Sequence, residues 1–379
     1  MNLDSRFVIP VIMLLLALSP GISPAATITV NALSDTGTAE RACELRSAIL
    51  AANTNSVVDS CVAGSASDII EFSVEGVITL SSDLPDISRE VHINGPGAGL
   101  LSIDGSGLYR QFTFVSQTGN SAVRGLTLAK GYSTGSGGCI ASNGAATLTL
   151  EGLRAVKCLS GGNGGALYII GASSIRHIVL SDNVAANYGG GAFFSAENST
   201  FSDSTLDSNR GLFGGGIYLN NIEVAVERCT FLGNKADHSG GAISVNSANG
   251  LADISHTTIS GNTSDFDSNM VGNGGGIQAT SASLTLSNTI VSGNFDLNPN
   301  GNSPDIRIAL PETITSGGTN FIGRNEGGEI GFPDGYPNAF GDFVGTALAP
   351  LVAGLLSPGH YGGGLTTMPP ADDSPVVDL

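Results

Sequence analysis

The chain has 379 residues, 54 of them glycine and none tryptophan, and its 33 acidic and 15 basic side chains leave a net charge of −18. Glycine this frequent, with no three-residue period, excludes collagen and long helical bundles, because glycine is costly inside helices. The acidic balance excludes nucleic acid and anionic membrane surfaces as electrostatic partners, and 41% hydrophobic content excludes a disordered polar chain.

In chain order, the first element is an address. Arg6 precedes a run from Phe7 to Leu18 that is apolar apart from Pro10, and small residues follow up to Ala25-Ala26. That run is too short to cross a bilayer, so residues 1–26 are expected to be a signal peptide cleaved after Ala25 or Ala26. Next, Cys43-Glu44-Leu45-Arg46-Ser47-Ala48-Ile49-Leu50-Ala51-Ala52-Asn53 is the one convincing helix, with Leu45, Ile49 and Ala52 on a shared face. It belongs to an expected N-terminal cap over residues 27–62. Export would put the five cysteines in an oxidising compartment. Cys43 and Cys61 flank one short segment and are the expected disulfide. The odd count leaves at least one unpaired thiol, expected at Cys229, while the pairing of Cys139 and Cys158 stays open at this point.

Between about residue 120 and residue 295 the sequence repeats. A glycine pair, a small residue and an apolar residue recur as Gly137-Gly138-Cys139-Ile140, Gly164-Gly165-Ala166-Leu167, Gly190-Gly191-Ala192-Phe193, Gly214-Gly215-Gly216-Ile217, Gly240-Gly241-Ala242-Ile243 and Gly274-Gly275-Gly276-Ile277. An asparagine precedes most of these pairs, at Asn183, Asn209, Asn234 and Asn262, and recurs at Asn294. Three residues before the asparagines stand Leu180, Leu206, Phe231, Ile259 and Val291, and eight before stand Ile175, Phe201, Val226, Ile254 and Leu286. A period near 25 with short alternating apolar runs predicts an all-β, single-stranded parallel β-helix of some ten turns over residues 63–345, with three short strands per turn. A β-sandwich would give no reason for identical offsets. Parallel crossovers are overwhelmingly right-handed, so a right-handed winding is expected. Glycine and asparagine recur where turns need left-handed backbone. Residues 263–273 read as an insertion in one turn and 296–345 as the last irregular turns.

The residues 43–53 resemble the segment that names the CSLREA domain, departing at Glu44 and Ser47. Ile70-Glu71-Phe72, Ile78-Thr79-Leu80, Leu84-Pro85 and Ile93-Asn94-Gly95-Pro96-Gly97 are similar to the continuation of such proteins. The repeats resemble the Gly-Gly-Ala-Ile and Phe-x-x-Asn units of polymorphic outer membrane proteins. The tail from residue 346, with Leu348-Ala349-Pro350-Leu351, Tyr361-Gly362-Gly363-Gly364 and Asp373-Ser374-Pro375-Val376-Val377-Asp378, resembles the choice-of-anchor Q segment. The resemblance implies a secreted or surface-exposed bacterial β-helix of the pectin-lyase-like class, without an established activity.

A lyase of this fold would need calcium-holding carboxylates and a basic side chain on an outer strand face. After the glycine pairs the expected outward row is Tyr168, Phe194, Tyr218, Ser244 and Gln278, which holds no charge. Tyr168, Phe194 and Tyr218 are candidate glycan-stacking residues, against the plainer reading that neighbouring rings stack on one another. Six residues before each asparagine lie His177, Asp203, Arg228 and His256, candidate acid–base groups or a surface charge ladder. Asp265 and Asp267 in one insertion, and Asp296 and Asp305 in the next, are oxygen-rich candidates for calcium. The expected function is a monomeric, non-catalytic surface or secreted adhesin that contacts a glycan or cell-surface component; the alternative is a polysaccharide lyase or hydrolase acting on acidic polysaccharide.

Overall fold

The computed structural model describes residues 25–37, 41–115, 119–144, 147–195, 198–220, 223–246, 251–280, 283–309 and 313–377. Residues 1–24 of the expected leader lie outside the described residues. Among those described, no helix is long and apolar enough to cross a membrane.

The chain winds into a β-solenoid of four parallel sheets. Sheet 1 runs from Thr27–Val30 to Thr313–Ser316 and sheet 2 from Gly76–Thr79 to Phe343–Val344, each with eleven strands. Sheet 3 has eight strands, from Phe112–Phe114 to Ile306–Ile308. Sheet 4 has seven strands, from Tyr132–Ser133 to Phe295–Asp296. A representative turn takes Ser173–Arg176, Val179–Ser181, Val184–Ala185 and Ala192–Phe194 in order. The expectation of three strands per turn missed sheet 4, whose strands of two residues are too short to carry an alternating pattern.

The offsets become columns. Leu180, Leu206, Phe231, Ile259 and Val291 are paired in register from turn to turn. So are Ile175, Phe201, Val226, Ile254 and Leu286. All ten side chains are buried. Burying a side chain of this size stabilises by about 1.5–3 kcal/mol, so the stacked apolar columns are the main cohesive term.

The asparagines form a third column, inside the turn that follows sheet 2. The Nδ2 of Asn183, Asn209, Asn234 and Asn262 donates to Oδ1 of the next asparagine, 2.9 Å away in each case. Each of those Oδ1 atoms also accepts the backbone N–H of the preceding asparagine. The second amide hydrogen goes to a strand carbonyl, as from Asn234 to Leu206 at 2.9 Å. Asn294 ends the run by donating to Asp305 Oδ1 at 2.9 Å. Buried amides are tolerable only when satisfied in this way.

Glycine is required in the turn before sheet 3. Gly164 and Gly189 hold φ of +65° and +70°, and a Cβ on Gly164 would lie 2.0 Å from the Leu167 carbonyl oxygen. Gly189, not Gly190, is therefore the counterpart of Gly164. That shifts the expected phase of this turn by one residue. Ala192 pairs with Leu167, and Phe193 with Tyr168.

The helix α1, Leu45–Thr54, buries Leu45, Ala48, Ile49, Ala51 and Ala52 in the same core as the first strands. Cys43 and Cys61 are disulfide-bonded beside it, as are Cys139 and Cys158 further along. Cys229 is free and buried. Burial pushes its thiol up to about 12, so it is no nucleophile. Residues 296–345 continue the solenoid: Ile306–Ile308, Thr313–Ser316, Phe321–Ile322 and Phe343–Val344 extend sheets 3, 1 and 2. The last segment then turns back. Leu351 is bonded to Gly323, antiparallel bridges join Leu355 to Pro370 and Gly359 to Thr367, and the Thr366 carbonyl accepts from the Thr205 hydroxyl at 2.8 Å.

Candidate functional site

The outer face of sheet 3 carries an aromatic column. Tyr168, Phe193, Tyr218, Ser244 and Gln278 are in register on successive strands. The rings of Tyr168 and Phe193 stack at 5.3 Å, and those of Phe193 and Tyr218 at 5.7 Å. Phe194, the expected member, points the other way. It is fully buried and meets Phe201 edge-on at 6.0 Å. A one-residue error in phase moves a strand side chain to the opposite face, which is why the run Gly189-Gly190-Gly191 misled the sequence reading.

A second aromatic column, absent from the sequence expectations, lies beside the first. Tyr188 stacks on Tyr218 at 4.6 Å, Phe213 tilts against Tyr188 at 5.6 Å, and His238 stacks on Phe213 at 4.3 Å. Each stands one or two residues before a left-handed glycine, and that position was the available signal. Burial lowers the His238 pKa, with Asp265 and Asp267 opposing, so the ring is neutral near pH 7. Burial lifts the Tyr218 phenol, which accepts a hydrogen bond from the Asn246 amide at 3.1 Å.

Most ring faces in these columns are covered by other rings, and Phe193 and Tyr218 are only 5% and 6% exposed. The stack therefore offers edges, not faces. Its open end is different. Beyond Tyr218 a cleft of about 180 Å³ is lined by Tyr188, Tyr218, Ser244, Asn246 and Gln278, among others. Ser244 donates to Gln278 Oε1 at 2.8 Å, and the Gln278 amide bonds the Thr280 hydroxyl. The lining combines aromatic side chains with the neutral polar ones that follow them along the same sheet.

The row His177, Asp203, Arg228 and His256 occupies the turn between sheets 1 and 2, where all four hold φ between 49° and 53°. Asp203 takes a forked pair of hydrogen bonds from Arg228, at 2.6 and 2.9 Å, and Arg228 also reaches Glu227 at 2.8 Å. These bonds raise the arginine pKa and lower that of Asp203, so Arg228 cannot accept a proton near neutral pH. His177 adds to the electrostatic field on Asp203. The returning tail, Tyr361–Leu365, faces His177, Asp203 and Arg228 across a cleft of about 470 Å³.

The calcium candidates separate. Asp265 and Asp267 share the loop after the short strand Thr263–Ser264, and Asp296 begins the loop one turn later. Asp305 lies elsewhere, buried at the end of the asparagine column. Among the described residues, no group of three or more His, Cys, Asp or Glu side chains is placed to hold a metal ion.

With this geometry in view, one comparison places the repeat. Residues 228–246 match the family model of the Chlamydia polymorphic membrane protein repeat. That stretch begins at Arg228, runs through Asn234 and the left-handed Gly240, and ends on Asn246 in sheet 3, so it spans most of one turn of the solenoid. No curated protein matches the chain.

Proposed function

We propose that this protein is an exported, surface-associated β-solenoid that contacts a glycan through the cleft at the open end of the aromatic column. The observation that carries the reading is the lining of that cleft, where Tyr188 and Tyr218 give way along the column to Ser244, Asn246 and Gln278. Aromatic surface beside neutral hydrogen-bonding groups suits a sugar hydroxyl-and-CH pattern, and a cleft of about 180 Å³ suits a single residue of a chain. Two disulfides and the polymorphic-membrane-protein repeat support export. In this reading the winding is right-handed, residues 1–26 are a removed leader, α1 belongs to an N-terminal cap over 27–62, and 346–379 form a tail of the anchor-Q kind. The protein acts as a monomer in adhesion.

Purified protein on a glycan array and in a cell-binding assay tests this. Gln278→Ala and Asn246→Ala are expected to weaken binding at least tenfold, with His177→Ala neutral. Unchanged binding in both variants, or no glycan bound at all, sinks the reading. The lyase alternative would act in the His177–Asp203–Arg228 cleft. It predicts release of unsaturated or reducing sugar ends from acidic polysaccharide that Asp203→Ala abolishes.

A further inference from the structure

We propose that the loop Asp265-Phe266-Asp267-Ser268-Asn269-Met270-Val271 is a calcium site, with Asp265, Asp267, Asn269 and the Val271 carbonyl as its protein ligands. The spacing supplies side-chain oxygens at the first, third and fifth positions and a backbone carbonyl at the seventh, the order in which calcium loops present theirs. Met270, at the sixth position, holds φ of +67°, the sharp left-handed turn that glycine usually gives there.

The decisive observation is Asp265 itself. Its side chain is fully buried, and Oδ2 has no hydrogen-bond partner. A buried carboxylate oxygen left unpaired is costly unless something positive or protic meets it. Its other oxygen accepts the Val271 N–H at 3.3 Å, so the carboxylate is turned into the hollow of its own loop. Asp267 and Asn269 are exposed at the rim, leaving room for water to complete the six to eight oxygens that calcium takes. The site holds only two carboxylates, the rest of its oxygens being amide and carbonyl.

The next turn provides an internal control. Asp296-Leu297-Asn298-Pro299-Asn300-Gly301 repeats the same spacing one turn later, displaced by one residue, since Asp296 pairs with Ser264 and not with Asp265. There, however, both carboxylate oxygens are fully used. Asp296 Oδ1 accepts from the Ser264 hydroxyl at 3.2 Å and the Asn298 N–H at 3.1 Å. Oδ2 accepts the N–H groups of Asn302 and Ser303, each at 3.1 Å. Both loops are hydrogen-bonded internally, the first through Asn269 donating to Asp267 and the Val271 N–H donating to Asn269 Oδ1, but only the first leaves a buried oxygen over, Asp265 Oδ2.

Calorimetric titration of calcium chloride into the chelator-treated full chain tests the assignment. One site is expected, with a dissociation constant of about 10⁻⁴–10⁻³ M, the range of calcium modules with few ligands, and weaker binding of magnesium. Asp265→Asn keeps the shape, tolerates the left-handed backbone and should weaken binding at least tenfold. Asp267→Asn, on the exposed rim and away from the core, should do the same without touching the fold, and Asp296→Asn should bind as the parent does. No saturable calcium binding by the parent chain overturns the proposal, as does unchanged binding in the Asp265 and Asp267 variants.

Discussion

Two columns flank sheet 2, and they obey opposite rules. At its far end Asn183, Asn209, Asn234, Asn262 and Asn294 repeat one residue turn after turn. At its near end His177, Asp203, Arg228, His256 and Asn288 share one backbone conformation, with φ between 49° and 53°, yet repeat almost nothing. The first column is buried, and each amide is donor and acceptor to its neighbours, so a single different side chain would orphan groups on both sides. The second faces solvent, where water satisfies whatever the side chain leaves open. Burial with mutual hydrogen bonding therefore imposes identity along a solenoid, while left-handed backbone alone imposes only a preference.

Three substitutions can break or sharpen that contrast. The largest effect is expected for Asn234→Leu, which removes the acceptor of the Asn209 backbone and side-chain amides, the donor to the Leu206 carbonyl and one of the two donors to Asn262 Oδ1. A loss on the order of 5 kcal/mol in denaturant unfolding follows from several unpaired buried groups; a loss below about 1 kcal/mol would show that the column is dispensable. Next comes the acid that ends the column. Burial raises Asp305 from an ordinary 3.8 to about 7, against the pull of the Asn294 hydrogen bonds. Between those values the folded chain keeps a proton that the unfolded chain has released, so this group's contribution to stability falls as pH rises from about 4 to about 7. Asp305→Asn should remove that slope and stabilise by roughly 3–4 kcal/mol above pH 7; an unaltered pH profile of the unfolding midpoint would contradict it. The smallest effect is expected at His256→Asn in the exposed column. Asparagine tolerates left-handed backbone, so a gain of about 0.5 kcal/mol in thermal unfolding is expected, and a clear loss would mean that the histidine is held there by something other than backbone shape.

The same contrast explains what could be read from the sequence. The apolar columns and the asparagine column were legible because burial writes them identically in every turn. Sheet 4 was not, since two paired residues leave no period. Phe194 was placed outward because three consecutive glycines allow two phases. Counting from the asparagines leaves the phase open, because Ala192 stands nine residues after Asn183 and Ile243 nine after Asn234, but Ile217 only eight after Asn209. The proximity of Asp203 to Arg228 was legible from the period, but their forked ion pair needed coordinates. Likewise the acidic insertions were visible as composition only. That Asp265 keeps an unpaired oxygen while Asp296 does not is a matter of which backbone N–H groups each loop turns inward.

The backward run of the last segment changes how the molecule can come apart. A stack of coils held only by nearest neighbours frays from its tips, shedding one coil at a time. Here the bond between Thr366 and Thr205 ties the end of the chain to a coil several layers below, and Leu351 is fastened to Gly323 on the way. Tension or proteolysis at the carboxyl end must detach this clasp before the outermost coil is free to peel, so those layers should be lost together as one cooperative block.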